Sequence, residues 1–432
     1  MPRGYGGLIR LIFKVADVVP NFVYGEVNLQ NEPICVVSAI HKNRVSEARM
    51  VFVITQRING PRMKLNLIDL KGFKAVDGQN GQKIPLGDVT ILLGANGSGK
   101  SNVVSFFKML NFLTTGALQN YVGKQGVGQL LFYGPKVTES ISFTLHFLSE
   151  NAAHTYEVKL SHGLPDRLFI SGEKVTFLKN GSNKPQEYYL ESGGAEAGLG
   201  KDKNPTSKVV YTLLSGIRAY HFHDTSDTAP IKDRRYVDDA KYLRHDAGNL
   251  AAFLKMLKEH DEYTRYYDRI VRHIQRVMPQ FGDFSLETLP GNDKYVRLNW
   301  TDVYGSEYLF GPDHISDGSL RFMALTTLLL QPPELLPKFI ILDEPELGLH
   351  PAAIAELAGM IHTVANKTQI LVATQSTRFV DEFNPDDLVI VDRDEKNRCS
   401  VVKKLDAEQL QDWLKNYSLS ELWEKNVLGG QP

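Results

Sequence analysis

Gly94-Ala95-Asn96-Gly97-Ser98-Gly99-Lys100-Ser101 fits the phosphate-binding pattern G-x-x-x-x-G-K-[ST] at every fixed position. Its flanks have the right character. Val89-Thr90-Ile91-Leu92-Leu93 is an apolar, β-prone run that predicts a buried strand. Asn102 through Leu110 predicts a helix with apolar residues on most of its surface. Strand, glycine-rich turn and helix form the arrangement that phosphate binding requires. Glycines let the backbone bend until its N–H groups face phosphate oxygens. The helix N-terminus adds partial positive charge at the same spot. The candidate nucleotide-binding residues are therefore Gly94, Ala95, Asn96, Gly97, Ser98, Gly99, Lys100, Ser101 and Asn102. In this pattern Lys100 reaches the β- and γ-phosphates, and Ser101 is a ligand for Mg²⁺.

A second apolar run, Lys338-Phe339-Ile340-Ile341-Leu342-Asp343-Glu344-Pro345, ends in two carboxylates. A strand this apolar suits the middle of a parallel sheet covered on both faces. Its acids then lie beyond the carboxyl ends of the strands, where α/β sheets place ligands. Asp343 is the candidate Mg²⁺ ligand. Glu344 is the candidate general base for an attacking water.

Together these segments resemble the soluble RecF/SMC/OLD-like branch of the ABC-type ATPases, the AAA-family "predicted ATPase" group. The resemblance is carried by Asp343-Glu344-Pro345-Glu346-Leu347-Gly348-Leu349-His350-Pro351, similar to the acidic strand and following loop of those proteins. Ile315-Ser316-Asp317-Gly318-Ser319-Leu320-Arg321 resembles the signature loop L-S-G-G-Q, with Asp317 in place of a glycine and Ser319 in place of the glutamine. Ile370-Leu371-Val372-Ala373-Thr374-Gln375-Ser376 resembles the switch strand, with Gln375 where histidine is common. The opening Met63–Phe73 looks like the first strand of this branch, and Glu421–Lys425 through Gly429-Gly430 resembles the ending of uncharacterised members.

The resemblance implies an α/β fold. It is a P-loop NTPase of ABC/RecF-like type, with a mixed sheet, an antiparallel β subdomain and a helical insertion. It implies ATP and Mg²⁺ as cofactors, and an ATP-sandwiched homodimer in which Ser316 and Gly318 of one copy face the γ-phosphate held by another. Glu344, Lys100 and Gln375 are the expected catalytic residues, and Ser101 and Asp343 the expected metal ligands. A glutamine can donate a hydrogen bond to phosphate or water but cannot become cationic as histidine can. Asp317 is expected to point away from the phosphate or to cap the helix. The expected function is an ATP-hydrolysing switch in DNA repair, DNA processing or antiphage defence. The alternatives are a nucleotide-stabilised interaction module and a regulatory subunit that controls a separate nuclease effector protein.

The chain of 432 residues has room for two or three domains. No apolar stretch approaches the roughly 20 residues that span a bilayer, so no membrane partner is expected. Two cysteines, Cys35 and Cys399, cannot build a disulfide framework or a four-ligand zinc site, and a reducing cytoplasm is expected. A formal net charge of -1 gives no global pull toward nucleic acid.

Residues 1–62 read as an appended N-terminal extension outside the core fold, for instance from translation starting upstream of Met63. Residues 63–115 form the first half of the ATPase head. Residues 116–309 hold a β meander and a helical insertion. Within them Ser140–Phe147, Thr155–Leu160 and Lys174–Leu178 alternate as half-buried strands. Residues 191–207 read as an exposed loop, and Asn249–Val277 as a helical stretch. Residues 310–432 carry the signature, the acidic strand and the switch. Sustained heptads are absent, so no long coiled-coil arm is expected.

Three weaker features remain. Arg265, Arg269, Arg272 and Arg276 recur at helical spacing, a stripe able to track a nucleic-acid backbone or to serve as a solvated face. His221, His223 and Asp224 cluster, and the two histidines are read as sharing a strand face. Surface or interdomain contacts are the favoured reading there, with a metal site the minor one. Asp392-Arg393-Asp394 follows an apolar strand in the manner of Toprim nucleases, but too little chain follows it for such a domain. It reads as a strand-ending turn.

Overall fold

The computed structural model describes residues 62–288, 291–305 and 307–430, together with the backbone of an antiparallel hairpin pairing Ile40–His41 with Arg44–Val45. The readings made for residues 1–61 otherwise lie outside the described residues.

Two six-stranded sheets organise residues 62–430. The first runs in the order Ile217–Tyr220, Phe339–Asp343, Gln369–Thr374, Val89–Leu93, Leu388–Asp394, Cys399–Lys404. Its first five strands are parallel and the last pairs antiparallel. The central strands are apolar at nearly every position because both faces are covered. Successive side chains alternate between two cores. Ile341, Leu371, Ala373, Leu92 and Val391 enter one core. Ile340, Leu342, Ile370, Val372, Ile91 and Leu93 enter the other.

The helix Lys100–Thr114 fills the first core. Its apolar residues spread over two faces because it is squeezed between two sheets: Phe107 meets Phe339 of the parallel sheet, and Phe106 meets Phe143 of the second sheet, each at 5.2 Å between ring centroids. The second sheet is antiparallel throughout, in the order Gln82–Pro85, Lys64–Lys71, Ser140–Leu148, Ala152–Gly163, Arg167–Lys179, Gln186–Tyr189. The opposite face of the parallel sheet is covered by helices that include Asp317–Leu330 and Pro351–Ala365.

The architecture is the mixed α/β head with an antiparallel subdomain expected from sequence. Local expectations need correction in three places. The segment 191–207 is not simply an exposed loop: Ala197 and Leu199 are buried, and a helix begins at Pro205. Its charged neighbour explains this. The buried Glu173 carboxylate accepts the N–H groups of Gly198 and Leu199 and the Tyr156 hydroxyl, at 2.7–3.0 Å, pinning the segment inward. The stretch Asn249–Val277 is two helices, Leu250–Glu259 and Thr264–Val277, interrupted at His260–Tyr263. His221 and His223 share no strand, since Ile217–Tyr220 ends just before them.

Candidate active site

The phosphate-loop residues connect the strand Val89–Leu93 to the helix Lys100–Thr114. Gly99 takes φ 118° at the helix N-cap and leaves the first turn without a side-chain cap, so its N–H groups stay available to an anion. The other glycines have distinct reasons. A Cβ on Gly94 would lie 2.2 Å from Val391 O, and one on Gly99 would lie 2.1 Å from Ser400 Oγ. Gly97, at φ +79°, faces open space. The Ser400 hydroxyl donates to Ser98 O at 2.7 Å, bracing the loop against the strand Cys399–Lys404. Ser98 Oγ is buried and finds no partner among the described residues. Lys100 is buried, with its ammonium donating to Gly94 O at 2.5 Å and Ala95 O at 2.9 Å.

The acidic strand Phe339–Asp343 lies one strand away from Val89–Leu93, with the switch strand Gln369–Thr374 between them. All three run parallel, so their carboxyl ends share one edge. Burial lowers the Lys100 pKa, and the charges of Glu344, Asp343 and Glu346 oppose that shift. Burial likewise raises the Asp343 pKa, with Glu344 adding to it and His223, Lys108 and Lys100 opposing. Glu344 holds φ 42°, a left-handed conformation uncommon outside glycine, while its N–H donates to Ala373 O at 2.8 Å. The chain therefore turns sharply at this acid just after leaving the sheet. Gln375 is exposed at the end of the switch strand, between Thr374 and Ser376, whose hydroxyl caps the helix Thr377–Val380.

The signature segment opens the helix Asp317–Leu330. Ser316, not Asp317, is its cap: its Oγ accepts the Ser319 N–H at 3.3 Å, while Asp317 stays exposed in the first turn. Gly318 packs against the loop after the acidic strand so closely that a Cβ would lie 2.2 Å from Gly348 O. Arg321, one turn on, donates to Leu347 O at 2.8 Å and His223 O at 2.9 Å. It ties the signature helix to the acidic loop.

Sequence reasoning did not assign four residues at this edge. His221 and His223 were read as surface or interdomain residues, yet His223 Nε2 lies 2.7 Å from Asp343 O and His221 Nδ1 lies 3.7 Å from Asp343 Oδ2. Burial pushes His221 down to about 4, with Lys108 and its neighbouring histidines adding to the shift, so it is neutral at pH 7 and its contact with Asp343 is not an ion pair. The signal was the short run Ile217–Tyr220 before them, an edge strand parallel to the acidic strand. Arg321 is the third. The fourth is Glu346, 7% exposed, hydrogen-bonded to the Thr374 hydroxyl, with Oε2 buried and unpartnered among the described residues. Burial pushes it up to about 7.

Among the described residues no group of three or more His, Cys, Asp or Glu side chains is placed to hold a metal by itself, and the His221–Asp224 cluster is no exception. Mg²⁺ bound with a nucleotide needs only one or two protein ligands beside phosphate oxygens and water. Among the same residues no helix is long and apolar enough to cross a membrane. A cavity of about 370 Å³ adjoins the phosphate loop at Gly97 and Asn102, and its walls include Lys74, Phe132, Arg393 and Arg398. Arg393 sits within the strand Leu388–Asp394, so the Asp-x-Asp run is paired strand leading into the turn at Asp394.

Comparison with known proteins bears on the family and the fold. A family described as "AAA domain, putative AbiEii toxin, Type IV TA system" matches residues 89–381, more than half of the chain. A putative ABC transporter ATP-binding protein of Mycoplasma genitalium is 29% identical over 104 residues, 23% of this chain and 28% of that protein, so the chain spans little more than a quarter of that relative's length. A solved Smc head bound to the C-winged helix domain of ScpA is similar at TM-score 0.52 and 16% identity, over 81% of this chain and 99% of that one. An Smc head with an extended coiled coil, bound to the C-terminal domain of ScpA derived from Pyrococcus furiosus, is similar at TM-score 0.50 and 16% identity, over 82% and 99%. These likenesses are in fold. The chain belongs to the family of AAA domains described as putative AbiEii toxins of type IV TA systems, and it is an ABC/RecF/SMC-like P-loop ATPase by motif and fold.

Proposed function

We propose that this chain is a Mg²⁺-dependent ATP-hydrolysing switch that works as an ATP-sandwiched homodimer. One observation carries the reading. The Lys100 ammonium, bonded to Gly94 O just past the strand Val89–Leu93, and the acids Asp343, Glu344 and Glu346, at and just past the end of the strand Phe339–Asp343, lie at the same carboxyl edge of one parallel sheet. An ammonium beside three acids, below an uncapped helix N-terminus, suits a magnesium triphosphate, whose anionic and cationic parts match the two halves.

The residues present fit that ligand. Gly97 opens the loop to solvent, Gly94 and Gly99 allow the backbone approach, and Ser98 Oγ is a buried polar atom in need of a partner. The backbone N–H groups of Gly97, Gly99, Lys100 and Ser101 would grip the phosphates, with the Lys100 side chain on the β- and γ-phosphates. Ser101 and Asp343 would hold Mg²⁺, which supplies charge neutralisation across the phosphate oxygens when bound. Glu344 would orient water for in-line attack and accept its proton. Gln375 would donate a hydrogen bond to the γ-phosphate or the water. The cavity beside Gly97 would receive the base and ribose. Ser316 and the Gly318 N–H stand on a helix start whose first residues are exposed, which supports their use by a second copy. The proposed setting, DNA repair, DNA processing or antiphage defence, is carried by family likeness.

The test is the Glu344→Gln protein. It should bind ATP, dimerise with it on a sizing column, and hydrolyse it about 100-fold or more slowly. Hydrolysis at the wild-type rate would remove Glu344 as the base. A monomer at saturating ATP would remove the sandwich. Turnover unchanged by single- and double-stranded DNA would count against a DNA-processing role.

A further inference from the structure

None of the chemistry above uses the segment Leu419–Gly430. Its placement gives it a role. The helix Leu419–Glu424 buries Leu419, Leu422 and Trp423 and is closed at its start by a Ser418–Glu421 capping box. It docks on the switch segment: Ser420 donates through its N–H and its hydroxyl to the Asp381 carboxylate, at 2.8 and 2.6 Å. Asp381 directly follows the helix Thr377–Val380, which starts two residues beyond Gln375.

The chain then turns back. Asn426, Gly429 and Gly430 all take positive φ, and the Val427 N–H returns to Leu422 O at 2.9 Å. Gly430 arrives buried at the phosphate loop. Its carbonyl accepts the Ala95 N–H at 2.9 Å, and its own N–H donates to Asp392 Oδ2 at 3.0 Å. No side chain fits there. At φ +82°, a Cβ on Gly430 would lie 2.7 Å from Ile390 Cγ2 and 3.0 Å from the Trp423 ring. The segment thus touches the phosphate loop at Ala95 and, through Asp381, the end of the short helix that follows Gln375.

We propose that Leu428–Gly430, anchored by Asp392, is a positioning element of the nucleotide site that holds the Ala95 N–H and so sets the phosphate loop for ATP. The proposal rests on the ATP-binding reading above. With Ala95 N–H occupied by Gly430, the loop's first peptide is fixed; Ser98 N–H donates to Ala95 O and Asn102 N–H to Gly99 O, and the N–H groups of Gly97, Gly99, Lys100 and Ser101 are left for phosphate. Asp392 acts through Gly430 and touches no nucleotide. A charged acceptor makes this anchor among the stronger single hydrogen bonds available.

Two measurements test it on the full chain. Amide hydrogen exchange of the nucleotide-free protein reads the contact directly. Asp392→Ala should speed exchange in the peptide covering Gly94–Gly99 about tenfold, and Asp392→Asn, whose amide oxygen can still accept the Gly430 N–H, should restore most of the protection. Equilibrium ATP binding and steady-state turnover read the consequence. Asp392→Ala and Gly430→Ala should each weaken ATP binding and raise KM about tenfold, with kcat at saturating ATP within about twofold of wild type. A merely structural defect would lower the active fraction, hence apparent kcat, and leave KM in place. Wild-type exchange and wild-type KM in Asp392→Ala would overturn the positioning role alone. Wild-type protein that binds no ATP would overturn the ATP reading and this proposal with it, even with the exchange result intact.

Discussion

Replacing Glu346 by glutamine should change how stability depends on pH, and by an amount the structure sets. The carboxyl is 7% exposed, takes one hydrogen bond from the Thr374 hydroxyl, and has its second oxygen buried without a partner among the described residues. Burial, joined by the charges of Glu344 and Asp343, outweighs the hydrogen bonds and moves its pKa from 4.5 to about 7. The folded state therefore binds a proton that the unfolded state releases between those two values. Stability from this group is complete below pH 4.5 and is lost as pH rises through about 7. At 1.36 kcal/mol per unit, the loss between pH 5 and pH 8 is about 2–3 kcal/mol. Glutamine keeps the acceptor for Thr374 and cannot ionise. Urea unfolding of both proteins, free of nucleotide and in chelator, should therefore show Glu346→Gln gaining about 2–3 kcal/mol on wild type from pH 5 to pH 8. A difference between the two proteins that stays constant across that range would show that burial does not raise the Glu346 pKa.

Gly318→Ala should lower thermal stability by about 1–3 kcal/mol, because the new methyl meets the Gly348 carbonyl rather than a movable side chain; a melting curve equal to wild type would show that the signature helix does not lean on the acidic loop. Tyr156→Phe should cost about 1.5–3 kcal/mol in urea unfolding, since it strips a hydroxyl from the buried Glu173 carboxylate. Gln375→Ala, at an exposed position, should leave stability within about 0.5 kcal/mol and ATP affinity near wild type. Its turnover should fall roughly tenfold, the worth of one hydrogen bond made in the transition state, and unchanged turnover would take Gln375 out of the mechanism.

The parts of the fold that could be read from sequence were those with a strong local period. Val89–Leu93, Phe339–Asp343 and Gln369–Thr374 are apolar at nearly every position because a covered parallel sheet leaves them no solvent face. The strands of the second sheet alternate because one of their faces meets solvent. The edge strand Ile217–Tyr220 was missed. It is four residues long and contains Arg218, too short for a period to show. His221 and His223 were accordingly read as surface or interdomain residues rather than as neighbours of Asp343. Residues 191–207 have the composition of a loop, and only the distant Glu173, arriving from the second sheet, reveals why part of them is buried. Glu346 was quoted only as a letter in a motif. Its burial follows from the sharp turn at Glu344 and from Thr374 on a neighbouring strand, neither of which a linear sequence displays.

The central claim is that Lys100 and the acidic strand hold one and the same magnesium nucleotide. Calorimetric titration of ATP, with and without Mg²⁺, into wild type, Lys100→Ala and Asp343→Asn tests it most directly. Mg²⁺ should tighten ATP binding to wild type, Lys100→Ala should lose binding in both conditions, and Asp343→Asn should lose only the tightening due to Mg²⁺. Full Mg²⁺ enhancement in Asp343→Asn, or wild-type affinity in Lys100→Ala, would contradict it.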